Sequence, residues 1–123
     1  MRELGISLYP ENASIGELKD YIDLAAQYGF TRVFTCLISI DGDSGSTFLK
    51  FKEVVKYASL KGMKVIADVD PSVFEELEIA YNELEFFEQM GLYGIRLDLG
   101  FSGNEESIMT YNSSDLKIEI NMS

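Results

Sequence analysis

Five short apolar runs alternate with stretches of helical periodicity, and this alternation constrains the fold of the chain more than any other feature. The runs are LGISLY (4–9), RVFTCLIS (32–39), KVIADVD (64–70), GIRLDLG (94–100) and LKIEINM (116–122). Each is short and rich in Ile, Val and Leu, which is typical of a β-strand. Three junctions, GFTRV, GMKV and GLYGI, repeat a helix-ending glycine, an apolar residue and the next strand. A strand–helix unit that recurs about every 30 residues predicts parallel strands in an α/β fold.

Local signals place the helices between these strands. Ser14 followed by Glu17 forms a capping box, which predicts the start of the first helix. Asn82 is predicted to cap a helix over NELEFFEQM, and NEE (104–106) to begin another. The polar segment DGDSGS (41–46) is predicted to be a surface loop before the second helix.

Two α/β folds fit this pattern, a complete doubly wound domain of five strands and the first half of a (β/α)₈ barrel. The loop LYPENAS after the first strand has no glycine-rich phosphate cradle, which disfavours a doubly wound nucleotide-binding domain. The sequence also stops at INMS without a helix to cover the fifth strand. We therefore predict one domain over residues 1–123, the truncated N-terminal part of a TIM barrel comprising about five β/α units.

Composition excludes several classes of function. The formal net charge of −11 repels phosphate, so we expect neither nucleic-acid binding nor attachment to an anionic membrane. The sequence contains no histidine, which excludes a Ser-His-Asp triad and an HExxH zinc site in this chain. Its single cysteine, Cys36, is expected to be a buried small residue. With no signal-peptide or membrane-span pattern, the expected location is cytoplasmic.

Polar side chains appear late in the strands, where barrel enzymes place their catalytic groups. Asp68 and Asp70 are predicted to share one strand face, as are Arg96 and Asp98, because side chains alternate with period two. Glu119 and Asn121 form a third such pair. Two interpretations stay open: either Arg96 neutralises Asp98 or Glu119 as a structural ion pair, or a surplus of carboxylates raises one pKa and creates a proton donor.

The motifs RLDLGFSG and KIEINMS, together with LGISLYPENASI, YGFTRVFTCLIS and KGMKVIADVDPSVFEEL, resemble the N-terminal part of the bacterial 6-phospho-N-acetylmuramidases. The resemblance covers essentially the whole chain. It implies a (β/α)₈ barrel that continues beyond this sequence. It also implies that a cyclophilin-like domain follows the barrel. It also implies cytoplasmic hydrolysis of a small phosphorylated amino-sugar disaccharide, N-acetylmuramic acid 6-phosphate–N-acetylglucosamine, during peptidoglycan recycling.

Glycoside hydrolysis commonly uses two carboxyl groups, and the resemblance implies that the strand ends supply them without a metal or cofactor. Catalytic roles are predicted for Asp98 and Glu119, with Asp68 as the third candidate. Substrate contacts are predicted for Arg96, which would bind an anionic group, and for Asn121, Tyr9 and Asp70.

Two rival hypotheses use the same residues differently. Asp68, Asp98 and Glu119 are all oxygen donors, so they could hold Mg²⁺ in a metal-dependent barrel enzyme. Alternatively, the chain is a non-catalytic fragment. Five strands cannot close a barrel, so we expect the piece alone to be inactive and to self-associate through its exposed edges.

Overall fold

The computed structural model describes residues 4–8, 14–36, 44–97, 101–112 and 116–120. Strands and helices alternate along these ranges. In chain order they are β1 (Gly5–Ser7), α1 (Ile15–Gln27), β2 (Arg32–Cys36), α2 (Ser44–Leu60), β3 (Lys64–Val69), α3 (Pro71–Leu77), α4 (Glu85–Gln89), β4 (Gly94–Leu97), α5 (Gly103–Asn112) and β5 (Lys117–Ile120). All five predicted strands are therefore present.

The strands form one parallel sheet in the order β1-β2-β3-β4-β5. Each strand lies beside the next one in sequence, so the helices return the chain in the same direction every time. A doubly wound sheet instead reverses its strand order at a switch point. The observed order is that of a barrel wall, which confirms the predicted partial barrel and rejects the doubly wound alternative.

One face of the sheet packs against the helices. Along β3, Val65, Ala67 and Val69 are buried in a core that also contains Ile22 of α1 and Phe87 of α4. These strand positions alternate with positions of the opposite face, as period two requires. The helices therefore cover one face only, and the opposite face carries polar side chains together with the buried Ile66.

The three repeated junctions share one physical cause. Gly29, Gly62 and Gly91 follow the ends of α1, α2 and α4 with φ of +86°, +82° and +94°. The N–H of the residue after each glycine then reaches back to a carbonyl of the helix: Phe30 to Ala25, Met63 to Ala58 and Leu92 to Phe87, at 3.0, 3.1 and 3.3 Å. This is the Schellman arrangement, in which the apolar residue after the glycine packs on the helix it terminates.

Most predicted helix starts are confirmed, and two boundaries are wrong. The Ser14–Glu17 capping box is present, and the NEE segment lies in α5. Asn82 does not cap α4; Leu84 occupies the N-cap position, because residues 81–84 form turns. The predicted loop 41–46 is also too long, since α2 begins at Ser44, and 41–43 lie outside the described residues.

Candidate active site

Five side chains from four strands share the face of the sheet that the helices leave uncovered. We call this group the polar face: Arg32 and Phe34 of β2, Asp68 of β3, Arg96 of β4 and Glu119 of β5. All five are partly buried. Their contacts are with one another, which confirms that alternate positions of neighbouring strands point to one side.

Asp68 and Arg96 form a two-point ion pair between adjacent strands. The parallel register places the two residues directly opposite each other. Nε of Arg96 donates to Oδ1 of Asp68 at 2.6 Å, and Nη2 donates to Oδ2 at 2.9 Å. This fork-to-carboxylate geometry is the strongest form of the pair, because both carboxylate oxygens accept a charge-assisted bond. The Asp68 carboxylate is thus an acceptor in this arrangement.

A second ion pair spans the sheet. Nη2 of Arg32 lies 2.9 Å from Oε1 of Glu119, although two strands separate β2 from β5. The ring of Phe34 stands beside both guanidinium groups, 5.3 Å from that of Arg32 and 5.2 Å from that of Arg96. A cation at this distance is attracted by the face of the ring. Phe34 therefore connects the two ion pairs into one layer.

Among the five residues of the polar face, two arginines meet two carboxylates. Arg32 was not among the site residues predicted from the sequence, where several carboxylates were set against Arg96 alone. A signal was available: Arg32 stands two residues before Phe34 in RVFTC, on the same side of the strand. The predicted partners of Arg96 were Glu119 and Asp98, of which Asp98 lies outside the described residues. In the structure Asp68 accepts from Arg96, and Glu119 faces Arg32.

Asp70 has a structural task at the end of β3. It is the N-cap of α3, and its carboxylate accepts hydrogen bonds from the backbone N–H of Ser72, at 3.0 Å, and from the Ser72 hydroxyl. Pro71 at the first helical position supports the same start. Asp70 was predicted to share a strand face with Asp68, but β3 ends at Val69 and Asp70 turns the chain into the helix.

The remaining predicted site residues, Tyr9, Asp98 and Asn121, lie outside the described residues, so their roles stay predictions. In sequence, Asp98 directly follows Leu97, the last residue of β4, and β4 pairs with β5 so that Glu119 stands opposite Arg96.

The described ranges contain no group of three or more His, Cys, Asp or Glu side chains arranged to hold a metal ion. Within the same ranges, none of the helices is long and apolar enough to cross a membrane.

Two solved structures resemble the chain along nearly all of its length. An uncharacterized B. cereus protein is 44% identical with a TM-score of 0.76, over 98% of this chain and 30% of its own. A conserved protein of unknown function from Enterococcus faecalis is 21% identical with a TM-score of 0.75, over 95% of this chain and 31% of its own. The chain thus spans about a third of the length of these relatives.

A third structure, a mutant O-GlcNAc hydrolase from Thermobaculum terrenum, shares the fold at 14% identity and a TM-score of 0.61, over 97% of this chain and 34% of its own. No curated protein matched the chain in sequence. The sequence model described as "6-phospho-N-acetylmuramidase, N-terminal" matches residues 4–123, which is nearly every residue. The chain therefore belongs to the family of 6-phospho-N-acetylmuramidase N-terminal regions, a family related to glycoside hydrolases.

Proposed function

We propose that the chain is the N-terminal part of a glycoside hydrolase that cleaves N-acetylmuramic acid 6-phosphate–N-acetylglucosamine in the cytoplasm during cell-wall recycling. The observation that carries the proposal is the family match over residues 4–123. The sequential parallel sheet supports it, because this topology brings the ends of β3, β4 and β5 to one edge, where barrel enzymes act.

In this proposal Asp98 and Glu119 are the principal catalytic carboxyl groups. Asp98 follows β4 in sequence, and Glu119 lies on β5, which pairs with β4. Because paired strands are about 4.8 Å apart, two side chains at this edge can flank one glycosidic bond. Asp68 is the third candidate, because Arg96 contacts both of its carboxylate oxygens, whereas Arg32 contacts Glu119 through one oxygen, Oε1. Arg96 would bind an anionic group of the substrate, and Tyr9, Asn121 and Asp70 would contact sugar hydroxyl or acetamido groups.

The proposal extends to the rest of the protein. The relatives of known structure are about three times as long as the matched stretch. We propose that the remaining strands of the barrel and a C-terminal cyclophilin-like domain follow in the complete protein. Residues 1–123 made alone would then be inactive, and their sheet edges would associate with further copies.

The test uses protein from the complete reading frame. Release of N-acetylglucosamine from the 6-phosphorylated muramyl disaccharide is measured in EDTA for the wild type, Asp98→Asn and Glu119→Gln. Asp23→Asn and Glu53→Gln make the same chemical changes in the carboxylates of outer-helix ion pairs and serve as matched controls.

We expect the wild type to be active in EDTA and to lose at least about a hundredfold in kcat in one of the two site variants, with both controls close to wild type. Activity that appears only after Mg²⁺ is added would replace the proposal with the metal-dependent alternative. Full activity in both site variants would show that the catalytic carboxyl groups are other residues than Asp98 and Glu119.

A further inference from the structure

Phe34 is the apolar member of the polar face, and two arginines lie over its ring. Cζ of Arg32 is 5.3 Å from the ring centroid, and Cζ of Arg96 is 5.2 Å from it. Guanidinium groups are attracted to the electron-rich face of an aromatic ring and stack on it. Arg32 stands on the same strand as Phe34, whereas Arg96 reaches the ring from β4, on the far side of β3. The ring is therefore a shared contact of two charged side chains from different strands.

The ring of Phe34 has room because Gly5 of β1 lacks a side chain. Gly5 pairs with Arg32 in the parallel register, and Ser7 pairs with Phe34. A Cβ at Gly5 would lie 2.6 Å from Cε2 and 3.2 Å from Cδ2 of the Phe34 ring. Real Cβ atoms do not come as close as 2.6 Å to a neighbour, so the ring occupies the place that a side chain on β1 would take. Gly5 thus sets the position of the ring, and a larger residue there would displace it.

The two arginines differ in how firmly their carboxylate partners hold them. Arg96 donates from Nε and Nη2 to both carboxylate oxygens of Asp68. Arg32 donates from Nη2 to one oxygen of Glu119, and this contact spans β3 and β4. A fork of two parallel bonds fixes the plane of a guanidinium, whereas a single bond lets the plane turn. The ring of Phe34 therefore adds more restraint to Arg32 than to Arg96.

The orientation of Arg32 bears on catalysis because Glu119 is one of the two proposed catalytic carboxyl groups. Both side chains are partly buried, so each charge acts more strongly on the other than it would in water. A guanidinium held at 2.9 Å from Oε1 keeps the Glu119 carboxylate in one orientation. A guanidinium that swings away releases the carboxylate, and a small displacement of a catalytic group lowers the rate steeply.

We propose that Phe34 is a positioning residue of the candidate active site, which holds the Arg32 guanidinium against Glu119, and that Gly5 gives the ring the room to do so. The catalytic part of this inference rests on the proposed function. Its structural part, the restraint of Arg32 by the ring, stands on the contacts of Phe34 with Gly5 and Arg32 alone.

The first set of variants changes the charge on the ring face and leaves its shape nearly the same. In protein from the complete reading frame, Phe34 is replaced by monofluoro-, difluoro- and trifluorophenylalanine. Each fluorine withdraws electrons and weakens the attraction of the ring for a cation. Trifluorophenylalanine in place of Phe51, a buried residue of the helix-facing core, is the matched control.

The second set tests the room for the ring and the route of its effect. Gly5→Ala displaces the ring and leaves every side chain of the polar face chemically unchanged. Its matched control is Gly16→Ala in α1, where a Cβ would meet nothing closer than the Ser14 hydroxyl oxygen at 4.0 Å. Arg32→Leu, alone and combined with the fluorinated rings, shows whether Phe34 acts through Arg32.

Two readouts are taken: the NMR ring-current shift of the Arg32 side-chain protons, and kcat and KM for the phosphorylated disaccharide. Protons over the face of a ring resonate upfield, so we expect this shift to shrink through the fluorine series and to be largely lost in Gly5→Ala. We expect kcat to fall about threefold or more with the trifluoro ring and about tenfold in Gly5→Ala, with KM nearly unchanged. In the Arg32→Leu background the fluorines should have no effect, and both controls should resemble the wild type.

An unchanged kcat through the fluorine series would overturn the catalytic part, as would the same fall in kcat in the Arg32→Leu background. A rise in KM with unchanged kcat would also overturn it, because the effect would then lie in the substrate contact of Arg96. An unchanged Arg32 shift in Gly5→Ala would refute the structural part. If the wild type does not cleave the disaccharide, the proposed function fails, and the ring-current shift alone decides whether Phe34 holds Arg32.

Discussion

Asp68 and Arg96 link two neighbouring strands of the sheet and also belong to the candidate active site. Their two-point contact joins β3 to β4, with side chains 25% and 32% exposed. A double-mutant cycle with Asp68→Ala and Arg96→Ala should give a coupling free energy of unfolding of about 1 to 3 kcal/mol, because both partners are charged and partly desolvated.

The matched control is the Lys19–Glu53 pair on α1 and α2, which is single-point and more exposed. Its coupling should stay below about 1 kcal/mol. Urea unfolding of the two cycles makes the comparison, and equal coupling energies would show that Asp68 and Arg96 contribute no more than a surface pair.

Thr35 is the one buried polar side chain of β2 with no hydrogen-bond partner for its hydroxyl among the described residues. It borders a cavity of about 10 Å³ whose other walls are apolar side chains, including Leu8, Val33 and Phe51. A water molecule needs two to four polar partners, and this cavity does not provide them. Thr35→Val keeps the shape and removes the hydroxyl, so it should raise the free energy of unfolding by about 1 kcal/mol.

The matched control for Thr35 is Thr31→Val, which makes the same change at an exposed position just before β2. It should leave stability within about 0.5 kcal/mol of the wild type. Thermal or urea unfolding distinguishes the two. A loss of stability in Thr35→Val would reveal a partner for the hydroxyl.

At the scale of elements, the pairing of β4 with β5 depends on the absence of a side chain at Gly94. A Cβ at this position would lie 2.6 Å from the carbonyl oxygen of Lys117, its partner in the register. The Lys117 carbonyl oxygen belongs to the backbone, so it can move away only if β5, which carries Glu119, moves with it. We expect Gly94→Ala to lower the free energy of unfolding by about 3 kcal/mol or more and to reduce kcat.

Gly62→Ala provides the comparison. Gly62 has φ of +82°, but a Cβ there would meet nothing within 4 Å. Gly62→Ala should lower the free energy of unfolding by only about 1 to 2 kcal/mol, the local strain of a left-handed alanine. We expect its kcat to be unchanged. Unfolding and steady-state kinetics of both variants provide the test, and unchanged kcat in Gly94→Ala would show that the position of β5 is not critical.

At the scale of the whole molecule, the described sheet ends at β1 on one side and β5 on the other. Open strand edges present unpaired backbone groups, and Leu4 and Ile120 at these edges are 46% and 48% exposed. Residues 1–123 made alone should therefore associate in a concentration-dependent manner. Sedimentation velocity measures this, and Leu4→Lys with Ile120→Lys should weaken it, whereas Leu49→Lys, on an exposed position of α2, should not. A monomer with a sharp cooperative melt would contradict the prediction.

Sequence patterns were sufficient for features that depend on neighbouring residues. The period-two runs predicted five strands, and the glycine–apolar pairs predicted three helix ends, because a left-handed glycine and its Schellman bonds are set within six residues. The capping box at Ser14 has the same local origin. Asn82 shows the limit: a good capping residue is present, but turns within 81–84 put the N-cap of α4 at Leu84 instead.

The α/β pattern and the family resemblance can be read from the order of the amino acids, and the lack of histidine excludes histidine chemistry in this chain. Which charged side chains pair depends on the three-dimensional fold. Arg32 and Glu119 are 87 residues apart in sequence, and Arg96 and Asp68 are 28 apart. No local pattern chooses between Asp68, Asp98 and Glu119 as the partner of an arginine, because that choice depends on strand order and register. Those are set by the packing of the whole sheet against its helices.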